Sequence, residues 1–409
     1  MHESDAPKQS FCPVCSSATT IILLDHSEYP YFTVPVSKLA KKEILSRYSK
    51  NQLVAPLSVR VCESCCHTYI FPLPRQDIID TLYSNYYSYP SPLKTGFEPE
   101  RDNRFLEFFM DKVQPVCSKR GLSTVLEIGC YDGYILHHLQ QKGYTATGCD
   151  PSGGSEIGRE FGIEIMREFF DPEVFASRRL TFDIIISRHF IEHTIDPLIW
   201  VRGLKKVLNP NGILVIEAPN VSFYLERGLI EVFSLQHLQG FSSSSLNYVL
   251  NREGLKAFVI EKTPDNLIAI AEEGLGELEF FDKNWKALEA SFDSRLKDNK
   301  VKIRKEIREY LNGEKRICLW GAGGFALTAL LFYGIPAEKV EFIIDSDREK
   351  RDMEYLNYSI PIVSIEDAIK QPPDLIIITS MYSKSIKEQI LKIGFSASIL
   401  TIFPKVHLA

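Results

Sequence analysis

Residues 124–150, TVLEIGCYDGYILHHLQQKGYTATGCD, constrain this chain more than any other stretch. TVLEIG is a short apolar run of the kind that is buried on both faces of a parallel sheet. YILHHLQQKG then has helical spacing and stops at Gly143. ATGCD is a second short strand that ends in Asp150, 21 residues after Gly129. Strand, glycine turn, helix and parallel strand in that order begin a doubly wound α/β domain. Gly129 and Gly133 let the turn backbone come close to a ligand, and Asp150 is placed to accept both hydroxyls of a ribose.

The chemistry of the turn narrows the ligand. A dinucleotide site presents glycines and a helix N-terminus to a pyrophosphate. Here Glu127 and Asp132 flank the turn, and two carboxylates repel a pyrophosphate. They suit a ligand that carries a sulfonium and an amino-acid ammonium, so the turn points to S-adenosylmethionine (SAM) and away from NAD.

A second constraint comes from the cysteines. Cys12-x2-Cys15 and Cys62-x2-Cys65 are separated by 46 residues. Two CxxC turns each aim two thiolates at one point, which is what a closed tetrahedral zinc site needs. Such a site has no open position, so the metal is expected to be structural. Cys66 and His67 are spare donors and read as packing residues. Five of the nine cysteines fall in the first 66 residues, which fits metal ligation in a reducing cytoplasm better than a disulfide framework. The composition agrees with a globular chain: 44% hydrophobic and 24% charged, with a net charge of −6. That balance argues against nucleic acid and anionic membrane as partners. The first residues, MHESDAPKQS, have no apolar core of a signal peptide.

Downstream, KRICLWGAGGFALTALLFYGI is another strand, glycine turn and helix, and VEFIIDSD puts Asp345 at the end of the next strand. Its glycine pattern is an incomplete dinucleotide fingerprint, so this segment is expected to pack and to close a cleft. The expected organisation is a zinc module with a Tyr-rich linker over 1–90, a SAM domain over 91–274, a charged helical connector over 275–315 and a Rossmann-like α/β domain over 316–409.

The central segment resembles class I SAM-dependent methyltransferases. The resemblance implies that Glu127, Gly129, Asp132 and Gly133 line the methionine and ribose side and that Asp150 holds the ribose. It implies Phe169 or Phe170 beside the adenine, with His189 and His193 at the carboxyl edge of the sheet. Across nearly the whole chain, the order of the CxxC pairs, tyrosines, EIGCYDG, GCDPS and LWGAGG…FIIDSDREK…IPIVS is similar to deoxysugar C-methyltransferases. Those enzymes act on nucleotide-linked 4-keto-6-deoxyhexoses, in pathways to surface polysaccharides or glycosylated metabolites. The resemblance implies a base that removes a proton next to the ketone, drawn from a Tyr–His–Glu–His run followed by an aromatic–Ser pair. In FSLQHLQGFS, residues 233–242, His237 matches the last histidine and Phe241–Ser242 match the end. Ser234, Leu235 and Gln236 depart from the pattern. Tyr86 is the closest match among Tyr83, Tyr86, Tyr87 and Tyr89 for a cleft tyrosine. Carbon methylation of a nucleotide sugar is therefore expected, with catalytic roles for His237, Tyr86 and His193. The departures keep N- or O-methylation on the same frame as an alternative, and a non-catalytic zinc- and ligand-binding protein as one of another class. The sequence gives no oligomeric state; a monomer is the working expectation.

Overall fold

The computed structural model describes residues 11–85, 91–96, 98–263, 265–276, 285–312 and 315–408. The chain divides into two compact units. One comprises Met1–Ile22, Val59–Ser222 and Gln236–Trp285; the other comprises Leu23–Ser58, Phe223–Leu235 and Lys286–Ala409. Neither follows the serial division expected from sequence. The N-terminal segment is shared between the two units, and the short piece Phe223–Leu235 belongs to the second.

The first unit is built on a seven-stranded sheet. In chain order its strands are β1 (Thr124–Ile128), β2 (Thr145–Cys149), β3 (Glu164–Met166), β4 (Phe182–Arg188), β5 (Leu208–Pro219), β6 (Leu255–Lys262) and β7 (Asn266–Glu273). Across the sheet they lie in the order β3-β2-β1-β4-β5-β7-β6. The first five are mutually parallel, and β7 is antiparallel to both β5 and β6. This is the class I SAM-methyltransferase arrangement. The order reverses between β1 and β4, so their carboxyl ends border the crevice where open α/β sheets hold ligands.

The strands are apolar on both faces because both faces are covered. Leu126, Ile128, Ile185, Leu214 and Ile216 point into one core; Val125, Ile184, Ile186, Ile213 and Val215 point into the other. The alternation is the period-two geometry of a strand. Cys12, Cys62, Cys65 and Tyr69 share the first of these cores. The cysteine segment is thus part of the central domain's interior.

The cysteines sit on two matching turns. Ser16 N–H donates to the Cys12 carbonyl at 2.9 Å and Cys66 N–H to the Cys62 carbonyl at 2.8 Å. Ser16 and Cys66 both have positive φ, 62° and 58°. Cys66 therefore serves through its backbone, closing the second turn as Ser16 closes the first. The strand Thr68–Ile70 leaves this turn and pairs with the two-residue strand Gln239–Gly240, with Tyr69 opposite Gln239 and Thr68 opposite Gly240.

The second unit holds a six-stranded sheet with Ile317–Trp320 at its centre, flanked by Val340–Ile344 and Leu375–Ile378. The helix Trp285–Leu311 belongs to this unit from Lys286 onward. At the glycine turn, Asp345 accepts the Ala322 N–H at 2.8 Å and pairs with Lys350 at 3.0 Å. The buried Tyr355 hydroxyl donates to the Gly323 carbonyl at 2.8 Å. The chain's own groups thus engage this turn. Among the described residues, no helix is long and apolar enough to cross a membrane.

Candidate functional site

The glycine turn after β1 is built from backbone need. Gly129 and Gly133 have φ of +73° and +76°, which L side chains rarely adopt. A Cβ on Gly133 would stand 3.0 Å from the Ile163 side chain. Asp150, 7% exposed, accepts the Tyr131 N–H at 2.9 Å with one oxygen and the Ser152 N–H at 2.8 Å with the other. The Ser152 hydroxyl donates at 2.5 Å to the same oxygen as the Ser152 N–H, so Asp150 fixes the turn through that oxygen, while the one that accepts from Tyr131 keeps a lone pair for a further donor. Asp132 is more committed: its oxygens accept from Ser91 Oγ at 2.6 Å, Leu93 N at 3.2 Å and Tyr134 N at 3.1 Å. It ties residues 91–95 to the turn.

Glu127 is buried, and among the described residues its Oε2 accepts no hydrogen bond. Its carboxyl is pushed up to about 8, chiefly by burial; Arg188 opposes the rise, and Asp102, Asp132 and Asp150 add to it. A buried carboxylate oxygen that lacks a donor is what a ligand ammonium would satisfy, so the residues fit SAM. Phe169 is 58% exposed just after β3, whereas Phe170 packs on Phe175 and Trp200 at ring separations of 4.9 and 5.4 Å. Of the two, Phe169 is the one with a face to offer.

From the end of β4 a run of alternating charges crosses the carboxyl edge. Arg188 lies 2.7 Å from Glu217, 2.9 Å from Asp102 and 3.9 Å from Glu127. His189, at φ +48°, sets Nδ1 3.4 Å from Glu192 and Nε2 3.8 Å from Glu217. Burial pulls this imidazole down, but Glu217 and Glu192 hold it above the ordinary histidine value. His189 is thus occupied between two carboxylates.

His193 and His237 come together, with ring centroids 5.0 Å apart and planes inclined by 69°. His193 Nδ1 lies 2.8 Å from the Gln236 carbonyl oxygen. A carbonyl only accepts, so Nδ1 carries the hydrogen and Nε2 is the nitrogen whose protonation changes. Beside the pair lies Glu192, 1% exposed, with a carboxylate oxygen within 4.8 Å of one nitrogen of each ring, a residue that sequence reasoning missed. A lone Glu before a His carries no signal in one dimension; only the fold brings His237 to it. Tyr86 lies outside the described residues, as do the side chain of Tyr83 and all of Tyr87 and Tyr89.

The four cysteines converge. All four Sγ atoms lie within 4.8 Å of one another. Cys12 and Cys65 are 3.5 Å apart, and so are Cys15 and Cys62. Four sulfurs at about 2.3 Å from one zinc would be spaced by about 3.8 Å, so the donor set fits the metal. His67 is turned elsewhere. Its Nε2 donates to Gln239 Oε1 at 2.8 Å, and the Gln239 amide donates to the carbonyls of Thr194 and Ile195 at 2.9 and 3.0 Å. The second cysteine turn is therefore stapled to the loop that carries Glu192 and His193.

Residues 100–259 match the family model described as Methyltransferase domain. The central domain is a methyltransferase domain. Residues 279–396 match the model described as C-methyltransferase C-terminal domain. Among relatives, a C-methyltransferase, NovU, of Streptomyces niveus is 22% identical over 343 residues, 78% of this chain and 79% of that protein. A ubiquinone biosynthesis O-methyltransferase of Azorhizobium caulinodans is 27% identical over 135 residues, 32% of this chain. The match spans about half of that relative, 52% of its length. The magnesium protoporphyrin IX methyltransferase of Synechocystis PCC 6803 superposes with a TM-score of 0.36 at 15% identity, over 48% of this chain and 99% of that one.

Proposed function

We propose that this protein is a SAM-dependent methyltransferase that acts on a nucleotide-linked deoxysugar and forms a carbon–carbon bond next to a 4-keto group. The observation that carries the reading is the His193–His237 pair at the carboxyl edge of the methyltransferase sheet. The match of residues 279–396 to a C-methyltransferase C-terminal domain supports it.

Glu127, Gly129, Gly133 and Asp150 would hold SAM, with Phe169 against the adenine; Asp132 shapes the turn. Bound there, the cofactor supplies an electrophilic methyl group. Proton transfer then falls to the chain's own residues. A C–H beside a ketone is a weak acid, so a base must take its proton while the electron pair moves to the carbonyl oxygen as an enolate. His237 is the base, and His193 stands beside it as the donor that steadies the enolate. Zinc held by Cys12, Cys15, Cys62 and Cys65 braces the strand Thr68–Ile70 and takes no part in the chemistry.

A second reading has its own support. Leu235, at a position where the resemblance implies a histidine, is fully buried in the core. A nitrogen or oxygen acceptor needs less assistance than a carbon acid, so N- or O-methylation of a related sugar fits the reduced set. The test is transfer from SAM labelled with a carbon-13 methyl group to a panel of nucleotide-linked keto and amino deoxyhexoses. A product methyl resonance typical of attachment to carbon is expected. One typical of nitrogen or oxygen would replace the first reading with the second.

A further inference from the structure

The His193–His237 pair raises an electrostatic problem that the two imidazoles cannot solve alone. One oxygen of Glu192 and one ring nitrogen from each of the two histidines lie within 4.8 Å of one another. If both rings carry a proton on each nitrogen, two positive charges face each other in a partly buried site. If neither does, no group is charged to answer a developing enolate. A carboxylate beside both rings favours the state between, in which the pair holds one extra proton.

Glu192 is equipped for this role. It is 1% exposed, and among the described residues neither of its oxygens accepts a well-formed hydrogen bond. Its nearest cation is His189, at 3.4 Å, but His189 is shared with Glu217. Arg188 is shared between Glu217 and Asp102. These cations do not neutralise Glu192 on their own, so part of its negative charge is left to act on His193 and His237. Burial pushes the Glu192 carboxyl up, but His189, His193 and His237 together hold it below the usual glutamate value. Arg101 is the further cation near His189, and it works against protonation of that ring. The charged groups facing the carboxylate thus come from the loop after β4, from β5 through Glu217, and from the segment holding His237.

We propose that Glu192 is a positioning residue that fixes His193 and His237 as an acid–base pair holding one extra proton. The proposal rests on the reading above that this pair performs the proton transfer. Glu192 itself touches neither the sugar nor the methyl group. In the reaction, the substrate carbon gives its proton to the neutral ring, His237. The C–H electron pair becomes the enolate C=C bond as the carbonyl π pair moves onto oxygen, which the charged ring, His193, faces; the enolate carbon would then bond the methyl group that the cofactor supplies, as the S–CH3 bond breaks and its electron pair stays on sulfur. The proton on His237 leaves to water after product release, which restores the starting state.

The experiment is a histidine titration that needs no substrate. Full-length protein labelled with nitrogen-15 histidine is titrated as wild type, Glu192→Gln and Glu192→Asp, in the presence of S-adenosylhomocysteine. In Glu192→Gln the transitions of His193 and His237 should move to lower pH by about one unit, and Glu192→Asp should restore most of the shift. Where turnover is measurable, the acidic limb of kcat/KM should move by the same amount, while the S-adenosylhomocysteine Kd stays within about twofold. Unmoved histidine transitions in a Glu192→Gln protein that still binds S-adenosylhomocysteine would overturn the proposal. A measurement on unsubstituted protein covers the case in which the variants fail to fold. The carbon-13 resonance of the Glu192 carboxyl should step as the histidine pair titrates, and a featureless trace would equally overturn it. If the histidines shift but no sugar is methylated, the coupling stands and the proposed function fails.

Discussion

At the scale of single residues, Glu127 makes the sharpest demand. Its carboxyl is raised to about 8 mainly by burial, while an unfolded glutamate titrates near 4.3. The native state therefore binds this proton more tightly than the unfolded chain does. The stability it contributes is whole below the unfolded value and is lost as pH climbs toward 8. A cationic ligand needs the carboxylate, so binding below pH 8 must expel the proton. S-adenosylmethionine affinity should rise with pH up to about 8, by up to roughly tenfold per unit, and then level off. Calorimetry across pH 6–9 measures this, and Glu127→Gln should flatten the profile. His237→Ala should leave the cofactor Kd within about twofold and lower kcat by about 10²–10⁴; retained turnover would remove it as the base. Asp150→Ala removes the acceptor for Tyr131 and Ser152 as well as the ribose ligand, so cofactor binding should be lost while the protein still melts cooperatively. Residues of this kind are legible in sequence when their partners are local. Asp150 is, because strand, turn and strand fix its place. Glu192 is not, because its meaning depends on a histidine 45 positions away.

At the scale of elements, the two cysteine turns and the staple through Gln239 decide how firmly the histidine loop is held. Gln239 satisfies His67 on one side and two carbonyls on the other. Burial holds His67 down at about 4, so it serves as a neutral donor throughout the working range. Gln239→Ala should leave these buried groups without partners, at a cost of about 1–3 kcal/mol each at most. The melting temperature should fall and kcat should drop, with cofactor affinity nearly kept. A variant whose kcat is unchanged would show that the staple does not reach the site. The spacing of the CxxC pairs announced the turns, since their geometry is local. The staple joins residues 172 apart, and nothing in the pattern of either segment reports the other. Cys66 shows a subtler limit: a cysteine next to a ligand pair closes the turn with its backbone N–H at a positive φ, which the side-chain pattern does not report.

At the scale of the whole molecule, both units were foreseeable as α/β layers, but their discontinuous make-up was not. Residues 23–58 and 223–235 join the second unit without any change of composition to mark the crossing. Metal removal should act on the first unit as a whole, because Cys12, Cys62 and Cys65 share a core with Leu126 and Ile128. A strong chelator should lower the melting temperature by several degrees and reduce kcat, with a smaller effect on S-adenosylhomocysteine affinity; scanning calorimetry and a single binding titration measure both. The pairing of Thr68–Ile70 with Gln239–Gly240 has a consequence for how such chains can be recombined. The cysteine segment is not an exchangeable cassette, for its last strand ends against the segment that carries His237. A chimera that takes residues 10–75 from one relative and 236–242 from another mismatches a sheet register and a histidine loop in a single cut. Transplanted together, the two stretches travel as one inherited part, although more than 150 residues separate them.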